Sequence, residues 1–426
     1  MGKYFSLGEY NKLYKYIWIY LIIRFIYQFI FSYSFVFEQL YYEPMTVPYA
    51  PFISFQFDYM TFIIVSLVLI IIEKLGRKKV LNQELIEGKL IYNEPDIILK
   101  FGVQKGDYFL FINIFFVVIL DMADEIITKF NCYVLNYWMF EMFFFEIFST
   151  KILKSNIYKH NIFSFIFILT SCSIIQTIYI ILNFVNETEN VSIFDGRKWL
   201  ILLGVIYFIL VYIGQAYVYC NEKYYLDKRY IQIKRYLLLY GIFGLITSSI
   251  FAILSSYIPC GDNTLSELSK IVCNYKDDAE MYYFSSYSSF FEKFSSSYLG
   301  LRIILLIIQS LLYYTSNYYI YVIYKKLNPI YHICMKRLNF LIIDILGFFN
   351  YLANKEIQSL EMTLYILEIL ILIFYLSGSL VYLEFIELHF CGLDFYIKRK
   401  INERSSKENL IDLENISEVS DGDLNE

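Results

Sequence analysis

Apolar residues in this chain come in runs of about twenty, divided by more polar or charged segments of varied length. Ten such windows stand out: 16–37, 52–72, 108–130, 132–152, 162–184, 199–219, 236–256, 299–324, 329–350 and 362–388. A hydrocarbon layer about 30 Å thick takes about 20 helical residues to cross. Backbone amides in lipid must find partners within their own segment, so each window is predicted as a transmembrane helix. All six prolines, at 44, 48, 51, 95, 259 and 329, fall in loops or in the first turn of a window, where the missing N–H costs least. The third window is interrupted in its second half by Asp121, Asp124 and Glu125.

Composition agrees with the pattern. Of 426 residues, 58% are hydrophobic, 20% aromatic and 18% charged, against about 25% charged in soluble domains. This excludes an ordinary soluble enzyme, a disordered chain and a nucleic-acid binder. The expected fold is an all-α integral membrane protein whose partners are the bilayer and a small solute. The net charge of −5 changes little, because in a membrane protein the side on which charges lie matters more than their sum.

Orientation follows from the basic residues. With the N-terminal flank cytoplasmic, 25 of the 36 Lys and Arg fall on the inside, seven on the outside and four within windows. Both termini are therefore expected in the cytoplasm, as residues 1–15 and an acidic, disordered tail over 389–426. Asn186-Glu-Thr188 and Asn190-Val-Ser192 are N-glycosylation sequons in an outside loop, which fits that topology. Cys260 and Cys273 flank the longest outside loop, 257–298; they are a possible disulfide in an oxidising lumen, with two free thiols the even alternative. The other five cysteines read as small core residues. The first run is too long for a cleaved signal and follows Lys3, Lys12 and Lys15, so it reads as a retained span. The inside segment 74–107 mixes apolar and charged residues, a pattern suited to a short interfacial helix.

The windows also repeat. Windows one to five and six to ten start between 183 and 200 residues apart. Long loops follow the second window of each set, and tight turns join the last two. Five spans per unit forces the second unit upside down. The expected domains are 16–184 and 199–388, a pair of inverted five-helix repeats of the kind found in secondary transporters.

Charges inside windows are costly in lipid and mark cavities or partners. At 1.5 Å per residue, Lys336 and Arg337 lie roughly 12–14 Å into the ninth window, Arg24 about 12 Å into the first and Glu141 roughly 14 Å into the fourth. His332 is one turn before Lys336 and shares its face. Two readings stand side by side. In one, Lys336, Arg337, Arg24 and His332 form a cationic midplane site for an anionic solute, Arg offering bidentate and Lys point-charge contacts. In the other, Arg24 and one of the ninth-window cations neutralise Glu141 and Asp121 as structural pairs. Neighbouring residues on a helix point about 100° apart, so Lys336 and Arg337 are expected to divide between two faces. Asp344, with Glu146 and Glu368, is a candidate proton-coupling or structural acid alongside Asp121 and Glu141. Arg302 lies close enough to the outer boundary to snorkel. No pattern for a hydrolase, a nucleotide loop, a metal site or a cofactor is present.

Local stretches resemble a known family. Trp138-Met-Phe-Glu141-Met-Phe-Phe-Phe-Glu-Ile-Phe-Ser149 is similar to the Lys-Ala-x-Glu-Pro-Phe-Phe-x-x-x-x-Ser stretch of the drug/metabolite transporter superfamily, with Trp138 at the family's lysine and Met142 at its proline. Met335-Lys336-Arg337, followed by an apolar run to Phe349, resembles that superfamily's Lys-Arg stretch, and Tyr375-Leu-Ser-Gly-Ser-Leu-Val-Tyr382 its Gly-x-x-x-Tyr close. The nucleotide-sugar and triose-phosphate branches are the most similar. The resemblance implies ten helices in two inverted repeats, cytoplasmic termini, an endomembrane location, and phosphate binding at Lys336 and Arg337. The expected function is thus exchange of a phosphorylated or nucleotide-linked anion by alternating access, with no enzyme activity. The alternatives are a proton-coupled exporter of cationic amphiphiles and a non-transporting scaffold subunit. Monomer and homodimer both remain open.

Overall fold

In the computed structural model, the described residues are 5–7, 12–41, 51–86, 105–129, 138–185, 198–228, 231–256, 296–338, 341, 359–389 and 393. They are helical almost throughout. A single 3-10 turn, Lys12–Tyr14, leads into α1 (Lys15–Tyr41). There follow α2 (Pro51–Ile86), α3 (Lys105–Lys129), α4 (Trp138–Phe148), α5 (Lys159–Val185), α6 (Lys198–Lys228), α7 (Ile233–Ser256) and α8 (Ser296–Lys326). A helix over 329–338 is α9, and α10 is Ser359–Tyr382. Each of the ten apolar windows overlaps one of these helices. Among the described residues, four apolar stretches have membrane-spanning length: Phe55–Gly76, Lys159–Ile178, Ile233–Ile253 and Ile303–Lys326.

The distribution of polarity is inverted relative to a soluble protein. Ile64, Ile72 and Leu75 of α2 are each about 60% exposed, while Gln56 and Ser66 of the same helix are buried. An apolar exterior of this extent is stable only against lipid. The fold is that of an all-α membrane protein.

Two compact units make up the chain. The larger comprises Leu13–Leu153 and Tyr179–Asn339; the smaller comprises Met1–Lys12, Lys154–Ile178 and Phe340–Glu426. In the larger unit α2 packs along α7, α1 along α8, and α4 and α3 against α6. Small residues set the closest approach. A Cβ on Gly244 would lie 2.2 Å from the Tyr59 ring, and one on Gly241 2.9 Å from Phe62. With little hydrophobic drive between helices in lipid, such close van der Waals contact is what holds them together. Gln56 donates to Ser249 at 3.3 Å, and Ser66 shares a hydrogen bond with Tyr314.

The smaller unit is built on α5 and α10. Ser164 donates to the Gly378 carbonyl, and a Cβ on Gly378 would lie 2.3 Å from Ile168. Asn161 accepts from the Tyr158 N–H at the start of α5 and reaches the Tyr382 carbonyl at the end of α10. Here the structure corrects the tenth window, which was expected to remain helical to 388. The helix stops at Tyr382 in a Schellman arrangement: Phe385 N–H donates to Leu380 O, and Glu384 N–H to Val381 O. Glu384 occupies the left-handed position (φ 61°) usually given to glycine, and its carboxylate lies 3.4 Å from His160. The chain then forms a strand, β2 (Ile386–Leu388), antiparallel to β1 (Phe5–Leu7) and pairing Ser6 with Glu387. These backbone groups bond each other across the ribbon, in segments read from sequence as a helix end and an N-terminal flank. A second difference concerns α2, which runs on to Ile86, so that residues 74–86 continue a spanning helix instead of forming a separate interfacial one.

Candidate functional site

The site lies in the larger unit and is positioned by α4, α6, α8 and α9. Lys223 of α6 donates to the carbonyls of Leu327 (3.1 Å) and Lys325 (3.5 Å), securing the turn between α8 and α9. Asn328 then caps α9, its side-chain oxygen accepting from Ile330 N–H at 3.3 Å, with Pro329 in the first turn where helices accept it. This start fixes the rotation of α9 and aims His332 and Lys336, one turn apart, along one face.

Glu141 of α4 is fully buried. Lys336 donates to its Oε1, and Arg337 Nη2 lies 3.7 Å from its Oε2. The sequence expectation that these two cations would serve different faces is corrected: both reach one carboxylate. Their four- and three-carbon stems span the angle between neighbouring helical positions and bring both heads together. Asp121 of α3 accepts from Tyr240 at 2.6 Å, and the Arg24 guanidinium lies 4.9 Å over the Tyr27 ring.

Aromatic and polar groups surround the triad. The Lys336 ammonium is 5.6 Å over the Tyr219 ring. His332 Nδ1 and Tyr324 Oη share a hydrogen bond at 2.9 Å, and the imidazole packs edge-on to Tyr20 (5.3 Å) and Tyr219 (5.8 Å). Lys336, Arg337 and Arg24 all act electrostatically on His332. Four of the sequence-selected residues, Lys336, Arg337, His332 and Glu141, therefore meet, with Arg24 within electrostatic range. Such a cluster offers hydroxyl, imidazole and cationic donors to an anion, and one internal carboxylate that occupies the cations when no other anion does.

The remaining candidates fall elsewhere. Glu146 accepts from Ser149 at 3.0 Å, beside the π-helical turn Ser149–Leu153 that ends α4. Glu368 lies on α10 in the smaller unit. Asp344, Asn186, Asn190, Cys260, Cys273, the side chain of Arg302 and the acidic tail apart from 389 and 393 lie outside the described residues, and Leu393 is buried. Cys172, Cys220 and Cys334 are buried free thiols, as expected of core cysteines.

Sequence reasoning missed Glu222. It follows the sixth window by three residues, and is 1% exposed. Tyr236 of α7 donates to its Oε1 at 2.8 Å, and Tyr321 of α8 at 3.0 Å. The available signal was helical spacing: Gln215 and Glu222 are two turns apart and both buried, so the inward face continues beyond the apolar window.

No protein-family model matches this chain, and no curated protein is significantly similar to it.

Proposed function

We propose that this protein is a secondary carrier of a small anionic metabolite, phosphorylated or nucleotide-linked, that works by alternating access. One observation carries the reading: Lys336 and Arg337 converge on the buried Glu141 within a ring of Tyr20, Tyr219, Tyr324 and His332. A purely packed interior would not require two adjacent cations on one carboxylate. In a carrier, Glu141 holds the cations while the site is empty, and the solute's anionic group takes its place. Under the two-repeat organisation, 16–184 and 199–388, the triad joins the fourth span of one repeat to the ninth span, its counterpart in the other. Rocking the halves must rearrange it, which ties solute binding to the conformational change. The excess of basic residues on one side supports cytoplasmic flanks, and the sequons an endomembrane location.

The test is thermal stability of the purified protein in detergent with inorganic phosphate, sugar phosphates, nucleotide sugars, amino acids and cationic dyes. A ligand at 100 times its dissociation constant adds about 2.7 kcal/mol. Stabilisation by a phosphate-bearing probe, lost in Lys336→Ala, is the expected result. The same stabilisation in that variant overturns the assignment, and a response to cationic dyes alone would favour the exporter. A second reading, a structural ion triad in a scaffold subunit, is favoured by the fact that Glu141 already has both cations as partners. Lys336→Met combined with Glu141→Gln separates the two. The scaffold tolerates it; the carrier loses its ligand response.

A further inference from the structure

Glu222 is, with Glu146 and Glu387, a buried acid that the anion site does not use. Its carboxyl is 1% exposed, and its two hydrogen bonds come from hydroxyls rather than cations: Tyr236 and Tyr321 both donate to Oε1. Among the described residues, no Lys, Arg or His forms an ion pair with it. The nearest base in sequence, Lys223, is engaged with Asp227 (2.6 Å) and with the carbonyls of Lys325 and Leu327. Asp121 of α3 acts on it electrostatically; of the helices packed on α6, α4 carries Glu141 and Glu146, and α8 carries Lys325 and Lys326 in its last turn. By contrast, Glu141 is committed to two cations. A buried carboxylate with no counter-cation is costly, and neutralisation by a proton relieves that cost.

From this geometry we infer that Glu222 is a proton-binding site, and that its proton is the coupling ion of the carrier. The proton adds to a lone pair on Oε2 while Oε1 keeps both tyrosine donors. Release returns the carboxylate and a hydrated proton, with no other bond made or broken. Coupling to the anion site runs through a short contact series. Tyr321 packs on Tyr324 (5.6 Å), Tyr324 bonds His332, and Tyr324 lies in the fields of both Glu222 and Glu141. Neutralising Glu222 removes a negative charge from one end of that series, so proton and anion favour each other's binding. By linkage the two effects are equal. The coupling half of this inference rests on the anion-carrier reading; the proton site does not.

Two measurements on the purified full-length protein test the halves separately. Infrared difference spectra across a pH titration follow the protonated carboxyl stretch. The wild type should show a titrating component that Glu222→Gln lacks and that Glu141→Gln and Glu146→Gln keep. Tyr321→Phe should keep the band with its midpoint moved to higher pH, because a donor to the charged form is gone. A titrating band that keeps its full wild-type intensity in Glu222→Gln, or no such band in the wild type, overturns the proton site. The second measurement is binding of inorganic phosphate and of a nucleotide sugar at pH values on either side of that midpoint. Affinity should rise by about 5-fold or more on acidification, and Glu222→Gln should be pH-insensitive and bind like the acid form. Unchanged affinity across the midpoint overturns the coupling. Absence of binding at any pH defeats the carrier reading, and with it the coupling, while the infrared result still decides Glu222.

Discussion

Replacing Glu141 by Gln preserves the shape of the side chain and removes the charge on which Lys336 and Arg337 converge. The two cations are then left beside a neutral amide in a site where Lys336 is 15% and Arg337 11% exposed. Removing one partner of a buried ion pair costs about 3–5 kcal/mol, and Glu141→Gln should fall in that range. Lys336→Met should cost less, about 1–3 kcal/mol, because the carboxylate keeps Arg337 and the methionine fills the space of the lysine stem. The double variant should be more stable than the sum of the single effects predicts, by about 1–3 kcal/mol, the usual coupling between directly bonded groups. The assay is reversible unfolding in mixed micelles titrated with a denaturing detergent, followed by helical circular dichroism. Additive single effects, or a Glu141→Gln cost below about 0.5 kcal/mol, would refute the argument that the triad is a mutually dependent buried network.

Close helix packing gives a second prediction. Gly244→Ala places a methyl 2.2 Å from the Tyr59 ring, which must shift along with its edge contact to Tyr240 (5.6 Å); a loss of about 1–3 kcal/mol is expected, read in the same unfolding assay, whereas Gly76→Ala, with open space around it, should be neutral or stabilising. In the smaller unit, Asn161→Ala removes both the bond to Tyr158 N–H and the reach to Tyr382 O, and should cost about 1–2 kcal/mol, with faster amide exchange at the first turn of α5. Glu384→Gly should change stability by less than about 1 kcal/mol, since relief of the left-handed conformation offsets loss of the His160 contact; a large loss would show that the His160 contact dominates the helix end.

Helices were legible from sequence because their signal, about twenty apolar residues in a row, is the same quantity that lipid selects. Their ends were not. Phe385, Ile386 and Leu388 keep the tenth window apolar past Tyr382, while the backbone has already turned at Glu384 and entered β2. Hydropathy records contact with an apolar medium and is silent on which partner a backbone amide has chosen. The triad was half legible. The depth of Lys336, Arg337 and Glu141 followed from counting residues, but counting gives Cα directions, and the reach of two flexible stems decided where the charges ended up.

Glu222 shows why the remainder was hidden. When the exterior of a protein is apolar, hydrophobicity no longer distinguishes the core face of a helix from its outer face, and polar residues carry that information. On α6, Val211, Gln215, Val218 and Glu222 are all buried, at steps of four, three and four residues, while Leu210, about 100° around the helix from Val211, is 59% exposed. Valine and leucine are equally at home on either face, so the stripe can be recognised only from Gln215 and Glu222. The stripe does not end where the apolar window ends. It continues inward-facing to the turn that Lys223 secures, so the most deeply buried acid on this helix sits beyond the segment that hydropathy marks as membrane. Reading outward from polar positions at helical spacing, rather than inward from apolar runs, is the physically apt order for a bundle of this kind, and it leads from Gln215 directly to Glu222 and its two tyrosines.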